Sequence, residues 1–140
     1  MLMATGSGDD NFDWVTAQAG CGVELMFQRL QDGVRADVER RNGATFGRRD
    51  DWRFEFHEDE GEGFEVVRLA GSSKASAVVS FVREGSRIEI TGDGVDVQIT
   101  AIVGINPHGD CRYYVGEVEY LGWEVRKQAL DMLFFEESED

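Results

Sequence analysis

Basic residues, cysteine and proline are all scarce in this 140-residue chain, and each scarcity narrows what the chain can be. Fourteen Lys and Arg face 28 Asp and Glu, giving a formal charge of −14. A field of that sign repels phosphate backbones and anionic lipid headgroups, which argues against nucleic acid and membrane surfaces as partners. Among macromolecules it leaves a basic protein partner as the easier one, with solubility as the plainer explanation of the charge. No apolar run approaches the length needed to cross a bilayer. The start, Met1-Leu2-Met3-Ala4, lacks the basic and apolar regions of a secretory signal.

Two cysteines, Cys21 and Cys111, lie far apart in sequence. That usage fits a reducing compartment, so the chain reads as cytoplasmic, with Cys21 a small buried hydrophobe. A Cys21–Cys111 disulfide is the lesser alternative. Zinc is not expected, because only His108 and Cys111 form a close pair while Cys21 and His57 stand alone. The single proline, Pro107, belongs to the turn-like run Asn106-Pro107-His108-Gly109-Asp110.

Motifs that carry chemistry are missing as well. There is no G-x-S-x-G, no P-loop and no dinucleotide fingerprint, and no cofactor is implied. The acidic run Glu58 to Glu62 matches no EF-hand spacing and reads as a solvated turn. With 28 acidic residues, accidental carboxylate pairs are inevitable and say nothing about hydrolysis.

What is present is a core. The apolar fraction is 41 %, with nine Phe and three Trp, enough for one domain without a disulfide or metal staple. Residues 1–11 read as a flexible tail, 12–135 as a single α+β domain and 136–140 as an acidic end. Residues 13–19 fit a short strand or a helix capped by Asp13, with a break at Gly20–Gly22. From Val23 to about Arg41, the residues Val23, Met26, Phe27, Leu30, Val34 and Val38 recur at helical spacing, with Gly33 a weak point and Asn42-Gly43 a stop.

The period then changes to two. Trp52, Phe54 and Phe56 alternate with Arg53, Glu55 and His57. Further strands are expected at 64–69, 75–82, 87–91, 95–103, 111–115 and 117–120, joined by links short enough to make neighbours antiparallel. A second helix is expected over about Trp123 to Phe135, with Leu130, Leu133 and Phe134 entering the core. Trp123, Lys127, Leu130 and Phe134 align at helical steps, as do Ala129 and Leu133. The expectation is an antiparallel meander of six or seven strands, flanked by an N-terminal and a C-terminal helix packed on one sheet face.

Candidate site residues follow from this frame. His57 and His108 are the acid–base candidates at neutral pH, although a strand end and a loop usually place such groups in water. Trp52, Phe54, Phe56, Tyr113, Tyr114 and Trp123 could line a cleft between the sheet and the C-terminal helix, although aromatic residues at these spacings are more often core. Tyr113 and Tyr114 are adjacent and must face opposite ways on a strand, which points to a second covered surface such as a homodimer contact. Three functions compete. A non-enzymatic protein-binding or regulatory domain leads. A small-ligand domain with a pocket between sheet and helices follows. A small enzyme using His57 or His108 with a carboxylate comes third.

Overall fold

The computed structural model describes residues 10–43, 52–59, 63–71 and 74–136. The outer part of the N-terminal tail, the Arg48–Asp51 loop, residues 60–62 of the acidic turn and 137–140 of the acidic end lie outside the described residues. The elements in chain order are α1 (Trp14–Ala19), α2 (Val23–Gly43), β1 (Trp52–Glu58), β2 (Gly63–Ala70), β3 (Lys74–Glu84), β4 (Arg87–Asp93), β5 (Gln98–Ile105), β6 (Cys111–Val115), β7 (Val118–Tyr120) and α3 (Gly122–Phe135).

The seven strands form one antiparallel sheet in the order of the chain, β1-β2-β3-β4-β5-β6-β7. This is the α+β meander the sequence predicts, with two refinements. The N-terminal helical region is two helices: Asp13 caps α1 by accepting from the Thr16 amide at 3.1 Å and hydroxyl at 2.7 Å. Those hydrogen bonds, the hydroxyl's foremost, hold the Asp13 carboxyl below its usual range. The chain breaks at Gly20, as two nearby glycines require. The fifth strand is shorter than expected, starting at Gln98; Val95 and Val97 approach the core from the preceding bend.

The pleat sorts side chains cleanly. Through the register of neighbouring strands, Phe54, Phe64, Val66, Arg68, Val79, Phe81, Ile88, Ile90, Ala101 and Tyr113 all lie on the face that the long helices cover. Met26, Phe27, Leu30, Val34 and Val38 of α2 meet them, as do Val125, Ala129, Leu130, Leu133 and Phe134 of α3. Aromatic rings fill the centre: Phe64 stacks on Phe81 at 4.6 Å, Phe27 and Phe56 lean on Phe64, and Phe54 meets Phe134 edge-on at 4.9 Å.

The opposite face carries charge ladders. Glu55 pairs with Arg53 and His57 on β1, Arg87 bridges Glu84 and Glu89, and Arg112 bridges Asp110 and Glu119. Between them Val67 and Leu69 are buried by cross-strand neighbours, apart from the main core. β1 is a sheet edge, and Asn42 from the last turn of α2 satisfies it. The Asn42 amide donates to the Phe54 carbonyl at 2.8 Å, and its oxygen accepts from the Phe54 amide at 2.9 Å. The expected helix stop is therefore also an edge cover.

The two cysteines are joined in a disulfide, Cys21–Cys111, across a separation of 90 residues. This is the pairing that the sequence left as the lesser alternative, and it overturns the reading of two free thiols. The bond ties the α1–α2 corner to the start of β6, a proximity that sequence distance hid because it depends on the whole meander being folded.

Candidate functional site

α2 and α3 lie side by side with their C-terminal ends together. Arg126 near the start of α3 binds Asp37 through its Nε at 2.7 Å, and Arg41 donates through its Nε to the Phe134 carbonyl at 3.0 Å. Two aligned helix C-termini place negative partial charges next to one another. Buried arginines answer this. Arg41 spans toward α3, and Arg68 from β2 donates through Nη1 to the Leu133 and Glu136 carbonyls, both at 3.0 Å. Arg68 also donates through Nε to Ser76 and lies 4.0 Å over the Trp52 ring. Burial lowers the Arg41 pKa from its usual value.

On the outer side of this helix pair runs a groove of about 420 Å³. Leu130 and Phe134 line its apolar part, and Trp123 and Phe135 mark its two ends along α3. Twelve residues separate those rings, about 18 Å along the helix. Both are unusually exposed for their size, Trp123 at 54 % and Phe135 at 52 %. The charged side chains of the groove are Arg40, Arg41, Arg126 and Lys127 against Asp37 and Asp131. Basic side chains thus outnumber acidic ones here, in a chain where the ratio is the reverse.

The candidate residues fall in several places. Tyr113 is buried, and its Oη donates to the Met26 carbonyl at 2.6 Å. Burial pushes its phenol up to about 12, against the pull of Arg29 and Arg126. Tyr114 faces the opposite side, as adjacency requires, and its ring lies over Gly104 of the neighbouring strand. Burial, then Glu119, raises its phenol. Trp52 is half-buried under Arg68. Trp123 lies in the groove, outside the core stripe with which its spacing aligns it.

His57 sits on the open face with Glu55 at 2.9 Å and Glu65 at 3.6 Å. The register then places Ser80 beyond Glu65, so His57, Glu65 and Ser80 cross three strands in that order. A nucleophile relay needs the imidazole in the middle, next to the hydroxyl. Here the carboxylate occupies the middle, and the row forms a surface ladder. His108 is exposed in the β5–β6 loop, which Asn106 organises. The Asn106 oxygen accepts from the His108 and Asp110 amides, both at 2.9 Å, while its amide donates to Glu119 at 2.7 Å. The histidines therefore belong to separate parts of the sheet. Among the described residues no cluster of three or more metal-ligating side chains occurs, and no helix is long and apolar enough to cross a membrane.

The groove was not legible from the sequence. Its one signal was Lys127 within the row Trp123-Lys127-Leu130-Phe134, since a lysine marks the flank of an apolar stripe and not its centre. Comparison with known protein families, curated proteins and solved structures gives no significant match to this chain.

Proposed function

We propose that the chain is a non-enzymatic docking domain that takes an apolar, acidic segment of a protein partner into the α2–α3 groove. The carrying observation is the pair of exposed rings, Trp123 and Phe135, bracketing the groove. Trp and Arg beside an apolar floor are the side-chain types that dominate binding energy at protein interfaces. The spacing suits a helix laid in the groove with anchors on successive turns. The excess of cations favours carboxylates on the flanks of that segment. The basic partner suggested by composition would have to dock elsewhere on the acidic surface. An enzyme using His57 or His108 has less support: His57 shares a small cleft with Ser80, but Glu65 stands between the two in the register, and His108 is exposed in its loop.

Selection of a random peptide library on the immobilised protein tests this reading. Enriched peptides should combine apolar anchors with Asp or Glu. Trp123→Ala and Phe135→Ala should each weaken their binding about tenfold or more, as interface anchors do. Trp14→Ala, which removes an equally exposed ring outside the groove, should leave it unchanged. Enriched peptides that are basic, or that bind Trp123→Ala as well as the parent protein, would refute the reading.

A further inference from the structure

A second cleft lies beside the groove, where α2, β6 and the start of α3 meet. It measures about 190 Å³ and is lined by Arg29, Arg112, Arg126, Tyr113 and Tyr120 together with the Leu121–Gly122 backbone and neighbouring apolar groups. All of its charged lining residues are arginines, in a chain with twice as many acids as bases. Their roles differ. Arg112 directs its guanidinium to Asp110 and Glu119, carboxylates that do not line the cleft. Arg126 binds Asp37 through Nε, leaving the other donors of its fork available. Arg29 makes no hydrogen bond or ion pair among the described residues. Both Arg29 and Arg126 act electrostatically on the Tyr113 phenol in the wall of the cleft. The turn into α3 adds nothing on its own account, because Glu124 already accepts from the Leu121 amide at 2.7 Å.

We infer that this cleft is a binding site for a small oxyanion, a phosphate or carboxylate group, held between the guanidinium groups of Arg29 and Arg126. A planar fork with parallel N–H donors matches either group bidentately. Tyr120 lines the same wall. Arg126 lines both this cleft and the larger groove, so an anion here would sit at one end of the apolar channel.

Titration of the full chain, followed by backbone amide shifts, tests the site with inorganic phosphate and with acetate, against sodium chloride at matched ionic strength. Saturable shifts at Arg29, Tyr120, Gly122 and Arg126 with either anion, absent with chloride, are expected. Saturation with phosphate alone assigns a phosphate-bearing ligand, and saturation with acetate a carboxylate. Arg29→Gln removes no hydrogen bond or ion pair among the described residues and should weaken the anion at least tenfold. Trp123→Ala should leave it unchanged, which separates this site from the groove. Shifts that chloride reproduces, no saturation with either anion, or full affinity in Arg29→Gln would overturn the inference.

Discussion

The Arg126 guanidinium lies against the bare backbone of Gly33. A Cβ built on Gly33 would come within 2.5 Å of Arg126 Nη1 and 2.8 Å of its Cδ and Cζ. In the sequence Gly33 is a flaw in a good helix. In the structure it is the gap through which α3 reaches Asp37 on α2. The half-buried Arg126–Asp37 pair, with both side chains 22 % exposed, depends on it.

Gly33→Ala is therefore expected not to stabilise the protein, although Ala in a helix interior normally gains up to about 1 kcal/mol over Gly. The methyl group must push the Arg126 guanidinium aside and away from Asp37, which offsets that gain. In an Arg126→Ala background the clash disappears and the same substitution should stabilise. Urea denaturation of the four members of this double-mutant cycle measures the difference, and equal effects in both backgrounds would show that the contact is immaterial.

The disulfide gives a second expectation. Closing a loop of about 90 residues should contribute roughly 2–5 kcal/mol, mostly through the unfolded chain. Denatured, unreduced protein should contain no Cys21 or Cys111 thiol reactive toward a chromogenic disulfide reagent. The urea midpoint should fall on addition of reductant, and Cys21→Ser should reproduce the lower midpoint and be insensitive to reductant.

Tyr113 sets an alkaline limit. Its phenol titrates at about 12 in the folded chain, against an ordinary value of 10. Folding thus favours the protonated form, so the contribution is fully present below pH 10 and is lost as pH rises through 12. Stability should fall across that window by about 3 kcal/mol from this group. In Tyr113→Phe the part of the decline owed to this phenol should vanish, along with the highest step in phenolate absorbance. An unchanged titration curve would place the high phenol elsewhere.

The fold was legible where one physical signal dominated. The stripe Met26-Phe27-Leu30-Val34-Val38 and the alternation Trp52-Phe54-Phe56 each allow only one buried face, and the structure buries Met26, Phe27, Leu30, Val34, Val38 and Phe54 there. Residues 13–19 were ambiguous because a single turn has too few periods to separate strand from helix; the Asp13 cap decided it. Trp123 illustrates a different limit. On α3, Val125, Ala129 and Leu133 form the centre of the buried arc, while Trp123 and Lys127 lie well round the helix from it. Helical spacing aligned Trp123 with Leu130 and Phe134 but could not say which row faced the sheet. The groove and the arginine cleft escaped notice for a related reason: their residues come from α2, β6 and α3 and meet only through tertiary packing.

The strictly sequential sheet also sets a timetable for synthesis. Each strand from β2 onward has its neighbour already made when it leaves the ribosome. α2 has no such luck, since its surfaces include β5 and α3. At about 5–20 residues per second, the 90 residues between Cys21 and Cys111 take roughly 5–20 s to make. For that interval the nascent chain presents an oily helical stripe beside an unpaired thiol. The period of greatest vulnerability to aggregation and to wrong disulfides thus falls before α3 exists, and a trigger factor or holdase acting on α2 would protect both at once.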